Sequence, residues 1–405
     1  MCGQHSKQEG GAVPRPSPSS DPFPWDRGIF DAHCHPTDTM SSVEAIPSMR
    51  AAALTVMATR SQDQPLVAEV AAAHGIRSRY DMSQGRLIPC FGWHPWFSHQ
   101  LFNDTAAPET EWTYREGQPD AKRRHYEAVL APTPEDPAFV DALPAPRPLS
   151  AFLADTRARL RDHPLALVGE VGLDKAFRLP EGWTDDGHQS SRDQTLTPGG
   201  REGRRLSPHH VKTPHQVAVL KAQLALAGEL ARPVSVHGVQ AHGVLHDTLA
   251  ALWKGHEKEV ITKRQKRLVA EGAEDFSDDD EPEEDEFGRK DLPPKPYPPR
   301  ICLHSYSGPA QVIRQYTNPA IPARIFFSFS SAINLGTKAG ADRIGEVVAA
   351  CPDDSILIES DLHIAGDEMD ARLEEMYRKV CEIKGWTLEE GVDRIGKNYR
   401  EFIFG

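Results

Sequence analysis

Gly28-Ile29-Phe30-Asp31-Ala32-His33-Cys34-His35 is a short apolar run that ends in a His-x-His pair. Side chains alternate along a strand, so a strand here points both imidazoles to one side. Imidazole is the commonest protein ligand for a metal, and two at one strand end make half of a site. Working outward, seven further apolar runs read as buried parallel strands: 54–59, 86–92, 165–171, 233–237, 301–304, 324–329 and 355–359. Between them, apolar residues recur at helical spacing in 43–50, 63–74, 149–162, 215–231, 309–316, 340–350 and 370–384. Eight strands alternating with helices predict an α/β fold, a (β/α)8 TIM barrel with polar insertions.

Three stretches interrupt that alternation, at 98–148, 177–213 and 254–299. They are polar and rich in Pro, Gly or charge, and are expected as loops, with a helix near 121–130. Removing them leaves roughly 270 residues, close to the usual barrel size of about 250. The barrel is assigned to residues 28–405, and residues 1–27 read as a disordered tail. The net charge of -13 is local: residues 271–291 carry 12 acidic and 2 basic side chains, a balance of -10 that leaves about -3 elsewhere. Blocks of like charge repel and stay solvated, so the 254–299 insertion is expected to be largely disordered, with a possible role in recruiting a protein partner. Six cysteines without a Cys-x-x-Cys pair fit reduced, buried thiols and a cytoplasmic or nuclear location. No secretory signal or membrane span is expected.

Catalytic residues of such barrels sit at C-terminal strand ends. Applied strand by strand, that rule selects His33 and His35, Glu170, His237, His304 and Asp361. Four imidazoles and two carboxylates exceed what one tetrahedral zinc takes, and suit two divalent cations. A carboxylate has two oxygens and can serve two metals, which makes Glu170 the expected bridge. Asp361 is the expected base for an attacking metal-bound water. The ligand set admits Zn2+, Mn2+ or Mg2+, with the imidazoles favouring the first two.

Phe30-Asp31-Ala32-His33-Cys34-His35, Gly92-Trp93-His94-Pro95, Gly169-Glu170-Val171-Gly172-Leu173-Asp174, His304-Ser305-Tyr306-Ser307-Gly308, Glu359-Ser360-Asp361 and the closing Asn398-Tyr399-Arg400-Glu401-Phe402 together resemble the TatD-type metal-dependent DNases, of the amidohydrolase-like barrel superfamily. The insertions resemble those of a fungal branch related to the Cut9-interacting proteins. The resemblance implies a phosphodiester hydrolase acting on DNA. It implies one metal among His33, His35, Glu170 and Asp361, and a second among Glu170, His237 and His304. It also implies a substrate contact at His94 and a supporting carboxylate at Asp174. Two departures bear on substrate. The family's Arg after the strand-five histidine is missing from His237-Gly238-Val239-Gln240, and Leu362-His363 follows the last Asp, where His363 could line the mouth. Another ester or amide as substrate, or a barrel kept for protein interaction, are the alternatives. Plainer readings also stand beside these: His94 packed between Trp93 and Pro95, Asp174 as a turn cap, and Lys263–Arg267 as a solvated linker rather than a nucleic-acid arm.

Overall fold

Each apolar run folds as a strand whose side chains alternate between two buried layers. The computed structural model describes residues 21–105, 112–182, 194–260 and 294–405. The strands are β1 (Phe30–Cys34), β2 (Ala53–Ala58), β3 (Leu87–Phe91), β4 (Leu167–Asp174), β5 (Val234–Val239), β6 (Arg300–Leu303), β7 (Arg324–Phe329) and β8 (Ile356–Ile358). They pair in sequence order, every neighbour parallel. The expected barrel is therefore present. Its seam lies between β1 and β8 and is closed just beyond the strand ends. Asp361 N donates to His33 O at 3.0 Å, and His35 N donates to Leu362 O at 2.8 Å. Buried Asp31 adds a staple, its Oδ1 accepting from Ser360 N at 3.0 Å.

Phe30, Ala32, Met57, Cys90, Leu167 and Phe326 fill the barrel interior with Tyr399 and Phe402, which plug its lower end. Cys34, Val56, Val171, Val236 and Phe327 face the other way, onto the helices. The helices are α1 (Gln64–His74), α2 (Leu149–Asp162), α3 (Thr213–Glu229), α4 (His242–Trp253), α5 (Ala310–Tyr316), α6 (Lys338–Ala350), α7 (Asp367–Lys384) and α8 (Leu388–Phe404). The helix expected at 43–50 is instead a 3-10 helix over Met40–Ser48, containing Pro47. Proline has no N–H for an α-helical bond, which favours the tighter, shorter form. Helix α8 starts on a Thr387–Glu390 capping box. Its Asn398 gives Nδ2 to Asp353 O at 2.8 Å and Ile356 O at 2.9 Å, anchoring the entry to β8. Asn398→Ala would strand the buried Ile356 carbonyl, at about 1–3 kcal/mol for such a group, and release the part-buried Asp353 carbonyl. Urea unfolding is expected to show a loss of that size.

The helix expected near 121–130 is present as Ala121–Val129. The insertions otherwise depart from the expectation of loops: Pro137–Ala142 is also helical, and Leu130–Ala131 pairs antiparallel with His210–Val211 of the next insertion. Tyr126, Val129, Leu130, Val140, Leu179 and Val211 form a small core of their own. These residues are scattered through two polar stretches, so neither stretch shows apolar periodicity by itself. Residues 261–293 of the 254–299 insertion, with its acidic run and Lys263–Arg267, lie outside the described residues. At the N-terminus the described chain begins at Asp21, within the expected tail of 1–27. Phe23 meets Trp25 and Tyr377 edge-to-face, and Arg50 lies over the Trp25 ring. Cys34, Cys90, Cys302, Cys351 and Cys381 are free and buried, as expected of thiols. Among the described residues no helix is long and apolar enough to cross a membrane.

The 98–148 insertion is pinned to α3 through buried imidazoles. His125 Nε2 bonds His99 O at 2.8 Å, and His215 Nε2 bonds Ser98 O at 2.9 Å. Burial pushes His99 down to about 3 and His125 down to about 4, and lowers His215 as well. All three are thus neutral when folded, while the unfolded chain protonates them below about pH 6.5. The unfolded state then binds more protons, so their contribution to stability is lost as pH falls from 6.5 towards 4. Unfolding free energy is expected to drop by about 1.4 kcal/mol per pH unit for each of His99 and His125 within that window. Urea titrations at pH 7 and pH 5 measure it, and His125→Gln should flatten the slope.

Candidate metal centre

Two local irregularities aim the ligands. In β1 the register with β2 shifts between Asp31 and Cys34. In β4 the register with β5 shifts between Val168 and Val171. Strict alternation would carry Cys34 inward with Phe30 and Ala32, and would turn Glu170 outward with Val168. Instead Cys34 and Val171 lie in the outer layer, so His33, His35 and Glu170 face the barrel axis. Bulges of this kind re-aim side chains next to active sites. The sequence reading ended the fourth strand at Val171; it continues to Asp174, so Glu170 stands within the strand and Asp174 at its end.

Glu170 is the hub. Its Oε2 lies 3.5 Å from His33 Nε2 and 3.5 Å from His35 Nε2. Its Oε1 lies 2.8 Å from His304 Nε2, 2.9 Å from His237 Nδ1 and 3.1 Å from His94 Nε2. One carboxylate therefore shows a different oxygen to each of two imidazole groups. Asp361 Oδ1 completes the first group, 3.4 Å from His35 Nε2. Ligand atoms of His33, His35 and Asp361 lie within 4.8 Å of one another, as do those of His94, Glu170 and His237. Every sequence-selected metal ligand is thus at one place. Asp361 sits there on a left-handed backbone, φ 55°, of the kind that clusters at functional sites.

The outward nitrogens are held in turn. His33 Nδ1 meets Ser235 Oγ at 2.8 Å, His237 Nε2 meets Asp174 Oδ2 at 3.1 Å, and His304 Nδ1 meets Glu359 Oε1 at 3.4 Å. A carboxylate accepts only, so Asp174 and Glu359 hold the outer protons of His237 and His304. Burial lowers both rings, but Asp174 and Glu170 raise His237, and Glu170 and Glu359 raise His304, so each also shares an inner proton with Glu170 Oε1 that a bound cation would replace. His94 is different. Its Nδ1 accepts from Trp96 N at 3.2 Å, and burial pushes the ring down to about 4, so it is neutral with its proton on Nε2. It therefore aims a donor, not a lone pair, at the centre. Burial alone would push Glu170 up, but His94, His304 and His33 more than offset it and hold it well below the usual carboxylate range. Asp361 is likewise pushed up by burial and brought down to about 2, chiefly by its bond to His35. Both carboxylates are charged, which is what a cation requires. Lone pairs on imidazole and ionised carboxylate oxygens suit a divalent metal.

Asp174 does cap the following turn, its Oδ1 accepting from Ala176 N at 2.7 Å and Phe177 N at 2.9 Å, while Oδ2 faces His237. His363 stands at the rim, its ring stacked on His35 with centroids 5.4 Å apart and its Nδ1 2.8 Å from Asp38 Oδ2. Above the centre opens a cavity of about 1050 Å³, floored by the barrel mouth and walled by both described insertions. Arg60 at the end of β2 looks like a phosphate contact, yet it spends its donors on Asp38, Asp63, Thr59, Thr197 O and Pro198 O. It clamps the second insertion onto the mouth.

Four residues support the site in roles the sequence reading did not assign. Ser235 and Glu359, the latter read only as part of the strand-eight ending, orient His33 and His304. Gln216 bonds Asp174 N and O, both at 2.8 Å, and Gln223 takes Trp93 N at 2.7 Å. The glutamines lie on the buried stripe of α3, where a polar residue at core spacing was the available signal.

A parallel eight-stranded barrel with a buried histidine–carboxylate cluster at its C-terminal mouth defines the protein's class, a TatD-type hydrolase barrel. The profile of the "TatD related DNase" family matches residues 30–404, and the chain belongs to that family. It is 36% identical over 375 residues to the Cut9-interacting protein scn1 of Schizosaccharomyces pombe, covering 93% of this chain and 98% of that one. It is 24% identical over 390 residues to an uncharacterized deoxyribonuclease of Saccharomyces cerevisiae, covering 93% and 99%. The crystal structure of an uncharacterized amidohydrolase from Saccharomyces cerevisiae shares the fold, with a TM-score of 0.53 at 14% identity, covering 94% of this chain and 100% of that one.

Proposed function

We propose that this protein is a metal-dependent phosphodiester hydrolase acting on DNA. The observation that carries the proposal is Glu170, whose two oxygens address two separate imidazole groups. His33, His35, Asp361 and Glu170 would hold one divalent cation, and Glu170, His237 and His304 a second. Bound there, the pair would polarise a phosphoryl oxygen, lower the pKa of water and neutralise the leaving oxygen. Asp361 Oδ1 is placed to take a proton from the attacking water. His94 Nε2–H is placed to donate to a non-bridging phosphate oxygen, a role its tautomer allows and metal ligation does not. Family membership and the deoxyribonuclease relative support the choice of substrate.

Metal analysis of the purified protein, with hydrolysis assays on DNA, a lactone and an amide, tests this reading. Divalent metal together with DNA cleavage that a chelator abolishes is the expected result. Metal with cleavage of the lactone or amide alone would replace it by the other-hydrolase reading. A protein-binding role is favoured by the relative named for its interaction with Cut9. Pull-downs with and without residues 254–299 test whether the acidic insertion carries it.

A further inference from the structure

We propose that Trp96 and Phe177 form a subsite for a planar aromatic group of the substrate, a nucleobase where the substrate is DNA. This rests on the phosphodiesterase reading and adds a specificity site to it. The two rings stack with centroids 4.4 Å apart and planes 10° apart, beside the metal centre. Both line the cavity above Glu170, and Trp96 remains 37% exposed there. Apolar exposure is concentrated at this mouth: of the five large hydrophobic side chains exposed among the described residues, Trp96, Ile333 and Ile364 line this one cavity. Exposed apolar surface gathered at one concave place marks a binding site.

The shelf is also rigid. Trp96 Nε1 donates to Asp174 Oδ2 at 2.6 Å, and its main-chain N donates to His94 Nδ1. Phe177 N donates to the other oxygen of the same carboxylate at 2.9 Å. One buried side chain thus fixes both aromatic residues relative to the centre. With its polar edge satisfied, the indole has only apolar surface left to offer. Base–aromatic stacking needs such a surface and tolerates any base, because every base has a π-face. Arg60 is fully engaged by protein and the stretch after His237 offers no guanidinium, so a base contact adds grip beside the remaining arginines of the cavity wall, Arg201 and Arg204.

Trp96 could instead serve only to prop Asp174 and, through it, His237. The test separates the two. Tetrathymidylate and the same phosphodiester backbone without bases are compared by KM and kcat on wild type, Trp96→Ala and Trp96→Phe, with metal content measured on each. In wild type the base-bearing substrate is expected to have the lower KM. Trp96→Ala should reduce that preference about tenfold to a hundredfold through KM. Trp96→Phe, which keeps a ring but loses the bond to Asp174, should retain most of it. If Trp96→Ala weakens both substrates equally, or both variants lose metal alike, the residue is a prop and the subsite is wrong. Equal KM for the two substrates in wild type also overturns the subsite, leaving the hydrolase reading intact. Cleavage of neither, nor of any longer DNA, overturns the phosphodiesterase reading itself.

Discussion

Glu170→Gln is expected to abolish catalysis and to release metal from at least one half of the centre. The wild-type carboxylate presents Oε2 to His33 and His35, and Oε1 to His237 and His304, at 2.8–3.5 Å. A carboxamide has one oxygen, no charge, and an NH2 that would point donors at one set of lone pairs. It can serve one cation at most. Losing several kcal/mol of transition-state stabilisation corresponds to about a thousandfold or more in rate. The fold should survive, because the side chain keeps its shape and Glu170 contributes no packing of its own beyond the imidazoles. Mass-spectrometric metal analysis, DNA hydrolysis and thermal unfolding on one preparation read the three outcomes together. Wild-type cleavage by the variant would end the two-cation proposal.

Gly172→Ala is expected to be severely destabilising. Gly172 has φ 154°, a conformation L side chains rarely adopt. An added Cβ would sit 2.0 Å from His237 O and 2.8 Å from His237 Cβ. Backbone cannot yield cheaply, so β5 must move away from β4 at the pair Gly172–His237. That displaces His237 from Glu170 and strains the sheet. A loss of about 3 kcal/mol or more in unfolding free energy is expected, the range of severe backbone and overpacking mutants. Metal affinity should fall with it. An alanine variant as stable as wild type, with full metal content, would show that the two strands are not locked together here.

Much of this was legible from residue order. The eight apolar runs are buried on both faces, so they read as continuous hydrophobic stretches with boundaries up to three residues adrift. The ligands are polar residues at the ends of such stretches, an incongruity that survives without any structure. Less legible was whatever depends on two distant segments meeting. Leu179 and Val211 join Tyr126 and Val140 only when the insertions pair. Gln216 and Gln223 look like ordinary helix residues until their amides are seen closing on the Asp174 and Trp93 backbones. Trp96 gains meaning only from Phe177, 81 positions away in a different loop.

By itself the sequence determined the chemical inventory: four imidazoles and two carboxylates, each beside a strand, in an order that only a closed parallel barrel brings to one mouth. Tertiary structure alone decided which way they point. Alternation with period two would leave Glu170 among the helices and Cys34 inside the barrel. Irregular pairing in β1 and β4 reverses that, because an added residue in one strand inverts the facing of all that follow. Tertiary structure also distinguished His94 from its neighbours. All are histidines of equal ligating power in sequence, and only the partner on the outer nitrogen determines which of them can give up its inner proton to a cation: His94, whose Nδ1 accepts from Trp96 N, cannot.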